Sequence, residues 1–493
     1  MKIYFFLSAT GWWAKFLLII EELKILEKKF KPTGIIMVPG LESEIFSRNN
    51  NYKNLFDVHH ILIDKFLNTS VSKSEINHYQ NEYGNLWKYV YAERRYLLFM
   101  FNKRFQTKIY THDELIRLII GKFKYFESVI SKVDVVVTTP PASSWAYIMT
   151  SVAQKKGKKV INIDQVGFPR HKGMLTESNK QIWTSVEKKY LDKNFKIKKD
   201  VSKKAVELIE RWRVESKNPP WLKITDTQKY LNKYLNFKKI KRYMVQLIKF
   251  WKGETSYIGS PLLILKHFIF FRLRDIFVRH VFKYDSIQDN EDYFYYPLHV
   301  EPESSLMING VRGLNQISLI QKIAMQIPFD MKLYVKEHPT MVGWRFIKDY
   351  KLLKKIPNLK LINPNINGKK LLQNSKAIFT VSGTSGWEAL MLKKPVLLVG
   401  TSFYRKLPMV KYIKNLDDIS DELEWLNTKY CHSESDLVRF SSCIMSDAVD
   451  LPFEYFWGIS DDQEVFKKLK KLNYVTETLA KRLHSIAKRK LNE

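Results

Sequence analysis

The chain has 493 residues, with 82 Lys+Arg against 50 Asp+Glu for a formal charge of +32, and is 45% hydrophobic and 14% aromatic. Such a composition can bury a sizeable core, which excludes a disordered or fibrous chain, and the length fits two or three domains. Cys431 and Cys443 are the only cysteines, too few for a disulfide framework or a Cys/His zinc site, so a reducing compartment is the simpler setting. From the N-terminus, Lys2–Ser8 reads as a first strand, since Gly11-Trp12-Trp13 stands where a signal peptide would need small residues. Trp13–Phe30 has helical spacing, and strands are predicted at Gly34–Val38, His60–Asp64, Val133–Thr138 and Lys159–Ile163, with a helix at Ser143–Lys156. Alternation of this kind implies a parallel sheet covered on both faces, a Rossmann-like domain over 1–184.

The pattern turns helical and basic over 185–288. Lys229 to Lys283 holds 13 Lys/Arg against Glu254 and Asp275, interleaved with Tyr243, Phe250, Trp251, Phe268, Phe270 and Phe271. A basic amphipathic segment of this composition lies in an anionic membrane interface or forms a solvated interdomain spacer. Alternation resumes over 289–455, with strands at Tyr293–Pro297, Met331–Val335, Leu359–Ile362, Ala377–Val381 and Val396–Val399, and helices around Gln316–Met325 and from about Gly386. This predicts a second Rossmann-like domain, and two such domains place a ligand in a cleft between strand ends. A basic helical tail, 456–493, ends the chain with Lys467–Lys471 and Lys481–Lys490. The longest uncharged run, Val135–Gln154, contains Pro140-Pro141 and many Ser/Thr, so no membrane span is expected and the protein reads as soluble or peripheral. The excess positive charge requires an anionic partner: nucleic acid, acidic lipid, sugar nucleotide or phosphorylated lipid.

Three segments of the second domain could carry chemistry. In Phe379-Thr-Val-Ser382-Gly383-Thr384-Ser385-Gly386-Trp387-Glu388, a strand runs through a Ser/Gly/Thr turn into a helix, where unpaired N–H groups, hydroxyls and the helix dipole converge on an anion. Ser385 would be the N-cap, with Glu388 completing a capping box or meeting a ribose. In Leu333-Tyr-Val335-Lys336-Glu337-His338-Pro339, Pro339 forces His338 into an extended conformation at the strand end, and Lys336 and His338 alternate onto one face. The loop Pro297-Leu-His299-Val-Glu301-Pro302-Glu303-Ser304-Ser305 crowds a histidine, carboxylates and hydroxyls onto a rigid turn that could close over a donor phosphate.

Lys336-x-His338-Pro339 followed by Ser382-Gly-Thr384-x-Gly-x-Glu388-Ala389 resembles the paired motifs of GT-B glycosyltransferases that build bacterial capsule and lipopolysaccharide, including enzymes similar to Kdo- and sialyl-transferases. The likeness covers mainly 293–400. It implies that His338, Ser382, Gly383, Thr384 and Ser385 hold nucleotide phosphates, with Lys336, His299, Glu303 and Ser305 around the donor and Glu388 on the ribose. Asp-x-Asp, Gly-x-x-x-x-Gly-Lys-Ser/Thr and Gly-x-Gly-x-x-Gly are absent from the sequence, so a mechanism without a metal or other cofactor is expected. Inversion also needs a base for the acceptor hydroxyl. Asp164, in the loop after Lys159–Ile163, is the first choice and His171 the second, while the Ser8–Gly11 turn and His59 and His60 also reach the expected cleft.

The expected function is transfer of a sugar from a nucleotide donor, CMP-linked by preference, to a surface polysaccharide or lipid-linked glycan at the cytoplasmic membrane face. A polyol-phosphate transferase and a relative of UDP-GlcNAc 2-epimerase share the motifs. A nucleic-acid-binding protein is suggested by charge alone, and no recognisable nucleic-acid motif supports it.

Overall fold

The structure, a computed structural model, describes residues 1–7, 12–36, 55–93, 110–167, 172–214, 261–451 and 473–489, together with 244, 248 and 251. It divides into two units: Met1–Tyr96 with Tyr110–Asp192 and Ile444–Glu493, and Leu97–Ile109 with Lys193–Cys443.

The N-terminal unit is built on β1 (Ile3–Leu7), β2 (Thr33–Ile36), β3 (Phe56–Val58), β4 (Val135–Thr138), β5 (Lys159–Val166) and β6 (Lys172–Thr176). β1 and β4 are buried along their whole length, as parallel strands covered on both faces must be. The sheet order is Val449–Asp450, β6, β5, β4, β1, β2, β3, and β1 to β5 run parallel in the doubly wound arrangement. The sheet is mixed rather than wholly parallel, because β6 returns antiparallel to β5 and Val449–Asp450 antiparallel to β6. The connection from β5 to β6 is too short for a parallel crossover, which needs a dozen or more residues.

Two further predictions are corrected. His60–Asp64 is helical, inside His59–Leu67, and the strand is the preceding Phe56–Val58. A short apolar run does not distinguish strand from helix, and here Phe66 turns inward to stack on Trp145. The C-terminal residues, expected as a separate tail, complete this unit. The helix Asn473–Arg489 places Leu479, Ala480, Leu483 and Ala487 in one core with Ile19, Ile20 and Leu23 of the helix Trp12–Leu26.

The C-terminal unit contains β7 (Tyr293–Pro297), β8 (Lys332–Lys336), β9 (Leu359–Ile362), β10 (Ala377–Thr380), β11 (Val396–Leu398) and β12 (Val410–Tyr412), all parallel, in the order β12-β11-β10-β7-β8-β9. The chain starts in the middle, winds to one edge and then to the other, so the direction reverses between β7 and β10. Ligands of doubly wound sheets bind at the carboxyl ends of the strands flanking such a reversal. The helix Lys199–Val214, expected within the basic insert, is fixed to this unit. Arg213 donates to the Met391 carbonyl (2.7 Å) and pairs with Glu434 (2.8 Å), while Lys369 donates to the Trp212 carbonyl (2.6 Å). Among the described residues no helix is long and apolar enough to cross a membrane.

Candidate functional site

The loops after β7, β8 and β10 meet at the reversal point of the C-terminal sheet. His299, buried just beyond β7, spans from its own loop to the turn after β10. Its Nδ1 lies 3.3 Å from Gln316 Oε1, its Nε2 accepts from the Ser382 N–H at 3.4 Å, and Thr380 Oγ1 lies 3.3 Å from the same Nε2. These partners fix a neutral imidazole protonated on Nδ1, and burial pushes its pKa down to about 4. Both ring nitrogens have partners inside the protein, so His299 links the two loops. Gly383 is required beside it: a Cβ there would come 2.9 Å from His299 Nε2.

The turn after β10 divides its donors. The Ser382 N–H goes to His299, the Gly383 N–H to Thr380 Oγ1 (3.3 Å), and the Ser382 hydroxyl donates to the Ser305 carbonyl (2.7 Å). Ser382 therefore ties the two loops together. The helix begins at Thr384, two residues earlier than expected, with Gly383 as N-cap and no side-chain cap, so the expected capping box of Ser385 and Glu388 does not form. Thr384 is exposed and Ser385 half-buried in the first turn, where backbone N–H groups have no intrahelical acceptor. Glu388, half-buried one turn on, acts electrostatically on Lys336, Tyr295 and Tyr404. In the loop after β7, Ser305 donates to Glu303 (3.0 Å).

β8 contributes the cation. Lys336 is buried at the strand end, and desolvation lowers its pKa to about 8 against the opposing pull of Glu337 and Glu388. His338 is extended, φ −65 and ψ 129, as Pro339 requires. Its Nδ1 accepts from the Thr340 N–H (3.3 Å) and lies 2.8 Å from the Thr340 hydroxyl. This local pairing leaves Nε2–H as the ring's donor, and burial beside Lys336 lowers its pKa to about 4. Lys336, His338, Glu388 and the first turn at Thr384 and Ser385 thus combine a cation, a neutral N–H, a carboxylate and a helix N-terminus, a donor set for a phosphate with a hydroxylated ring beside it.

Sequence reasoning missed what holds this set in place. Arg345 is buried and bridges Glu301 (2.8 Å) from the β7 loop and Glu337, fully buried, from the β8 loop; Tyr350 donates to Glu337 (3.0 Å), and Gln316 links Glu301 to His299. Burial raises the Glu301 carboxyl despite Arg345, whose own guanidinium is held well above its usual range by the two carboxylates. No motif announces Arg345, because its role exists only once the two loops are folded together.

On the N-terminal unit, Asp164 is a correction of position. It is not in a loop: β5 continues to Val166, and Asp164 pairs with Met174 of β6, two residues beyond the level of Thr138 at the end of β4. The carboxylate accepts from Trp183 Nε1 (2.8 Å) and the Gln165 N–H (2.8 Å), and burial raises its pKa to about 6. His171, the Ser8–Gly11 turn and the side chains of His59 and His60 lie outside the described residues, as does most of Lys229–Ser260.

Residues 216–411, which include every member of the C-terminal constellation, match the family model of the capsule polysaccharide biosynthesis protein. Over this stretch the chain resembles capsule polysaccharide biosynthesis proteins. Each unit is built on a doubly wound, largely parallel sheet, as expected from the sequence. Similar solved structures include Thermosulfurimonas dismutans KpsC, beta Kdo 2,7 transferase, at 11% identity over 95% of this chain and 100% of that one, with a TM-score of 0.38. Its beta Kdo 2,4 transferase is similar at 12% identity over 63% and 79%, with a TM-score of 0.34. UDP-GlcNAc 2-epimerase of Methanocaldococcus jannaschii, in complex with UDP-GlcNAc and UDP, is similar at 14% identity over 90% and 99%, with a TM-score of 0.29. No curated protein matches the chain.

The buried histidines of this site carry a stability signature. A histidine whose folded pKa is depressed binds fewer protons folded than unfolded, so its contribution to stability is complete above the unfolded value near 6.5 and is lost as pH falls towards about 4. The urea midpoint is therefore expected to drop between pH 6.5 and 5, with part of that slope removed in His299→Gln. A flat midpoint over this range would contradict the buried, neutral histidines.

Proposed function

We propose that this protein is an inverting glycosyltransferase of capsule or related surface polysaccharide synthesis, working without a metal at the cytoplasmic face of the membrane. The observation that carries the reading is the convergence of Lys336, His338, Glu388 and the first turn at Thr384 and Ser385 on the reversal point of the C-terminal sheet.

In this reading the C-terminal unit binds a nucleotide-sugar, CMP-linked by preference. Bond breaking at the anomeric carbon leaves the bonding electrons on the departing nucleotide phosphate. The Lys336 ammonium, the His338 Nε2–H and the backbone N–H groups of the first turn stabilise that charge where it develops. Glu388 accepts from ribose hydroxyls. The acceptor is a polysaccharide or lipid-linked glycan whose hydroxyl loses its proton as it attacks. That proton goes to a general base, for which Asp164, the first choice of the sequence reading, remains our proposal.

The test is a panel of CMP-, UDP-, GDP- and CDP-sugars with the purified protein, reading released nucleotide with and without EDTA. One donor should release nucleotide in both conditions. Interconversion of UDP-GlcNAc with its 2-epimer, with no acceptor consumed, would replace this reading by an epimerase. Activity lost to EDTA and restored by Mg²⁺ would sink the metal-free mechanism.

A further inference from the structure

The helix Pro261–Ile276 is held to the C-terminal unit along one side. Phe271 is buried and stacks on Trp344 with ring centroids 4.2 Å apart, and Asp275, also buried, pairs with Arg279 at 2.8 Å. Beneath them Gly343 sits at φ +82, where a Cβ would come 2.8 Å from that of Asp275, so helix and turn touch at backbone distance. Val278, fully buried, continues the same side.

With 271 and 275 facing inward, Ile269, Leu273 and Ile276 fall on the opposite side of the helix. They are 50%, 59% and 52% exposed, and Phe270 beside them is 52% exposed. A surface helix normally turns its apolar stripe to the core and polar residues to water. This one is apolar on both sides, and Lys266, exposed, stands among the outward apolar residues. A second stripe follows the same rule: Met244, Ile248 and Trp251 are helical, lie at i, i+4 and i+7, and are 51%, 48% and 79% exposed.

Charge selects the occupant. Of the two acidic residues within Lys229–Lys283, Asp275 is buried in its ion pair with Arg279, while 13 residues of the segment are basic. Outward aliphatic side chains beside Lys266, in so basic a segment, do not fit a protein interface, whose centre is depleted of lysine. They fit the boundary of an anionic bilayer, where apolar groups enter the acyl region and lysines reach the headgroups.

We propose that the outward face of Pro261–Ile276, with the stripe at 244, 248 and 251, lies in the interface of an anionic bilayer, with Lys266 and Lys283 at the headgroups. The surface would hold the enzyme beside lipid-borne acceptors, and it rests on observations separate from the donor site.

Co-sedimentation of the full chain with phosphatidylglycerol/phosphatidylcholine vesicles and with pure phosphatidylcholine vesicles, across a salt series, tests this. The wild type should partition onto the anionic vesicles and release partly as salt rises. Ile269→Ser/Leu273→Ser/Ile276→Ser should weaken partitioning by at least about tenfold at every salt concentration. Lys266→Gln/Lys283→Gln should weaken it by about tenfold at low salt and flatten the salt dependence. Far-ultraviolet circular dichroism and release of nucleotide from a soluble donor should match the wild type in both variants. No partitioning of the wild type at low salt, equal binding to both vesicle types, or wild-type binding by both variants would overturn the proposal. So would a wild-type dimer that the triple substitution converts to monomer, which would make a second copy the occupant. Absence of donor turnover with vesicle binding intact would count against the transferase reading and leave this surface standing.

Discussion

Replacing Lys336 by Met is expected to lower kcat/KM for the nucleotide-sugar by about 10²–10³-fold, the scale of removing one preorganised group that stabilises charge in the transition state. Met fills nearly the volume of the lysine stem, so the buried strand end stays packed and the loss reports charge rather than collapse. His338→Ala should fall in the same range, since its Nε2–H is the ring donor left once Nδ1 is committed to Thr340. Ser382→Ala should cost less, because that hydroxyl is spent on the Ser305 carbonyl and acts by holding loops together. The pH profile separates the roles. In the free enzyme Lys336 loses its proton as pH rises through about 8, so kcat/KM should fall on the alkaline side, and this limb should be missing in Lys336→Met. Wild-type turnover in both Lys336→Met and His338→Ala would show that the donor phosphate lies elsewhere.

Arg345→Met is expected to destabilise the protein by about 3–5 kcal/mol, the cost of leaving a buried charge without its partner. The guanidinium bridges Glu301 and Glu337, which belong to loops after different strands, so its removal leaves two buried carboxylates facing one another. Lysine should not rescue it, because a single ammonium cannot reproduce a fork that meets two carboxylates in fixed directions. Combining Arg345→Met with Glu301→Gln and Glu337→Gln should recover much of the stability, since the unpaired charges are gone. Denaturant unfolding checks both statements, and a loss below about 1 kcal/mol in the single variant would mean that the network is not under this charge balance.

Local signals carried much of the reading because they depend on near neighbours. The runs at Ile3–Leu7, Tyr293–Pro297 and Ala377–Thr380 are strands because continuous apolar segments bounded by turn residues suit a sheet covered on both faces. His338 is extended because the ring of Pro339 excludes the helical region, whatever surrounds it. The helix after β10 was legible from its Ser/Gly/Thr turn, although its start and cap were not, since which residue caps depends on where the neighbouring loop puts Ser305 and His299.

Long-range pairing decided the rest. His60–Asp64 became a helix because Phe66 finds Trp145, a partner far along the chain. Asp164 moved from a loop into a strand because β6 pairs with β5, and the C-terminal helix joined the N-terminal unit because Leu479 and Leu483 share a core with Ile19 and Ile20. The division within the site has the same cause. Composition and spacing by themselves determined the doubly wound units, the basic excess and the residue types at the strand ends. Only the tertiary structure decided that His299 and Ser382 brace loops, that Lys336 is buried beside His338 with Nε2–H left as that ring's donor, and that Arg345 holds both arms. A side chain's hydrogen-bond partners and desolvation are properties of the folded neighbourhood, and residue order along the chain does not encode them locally.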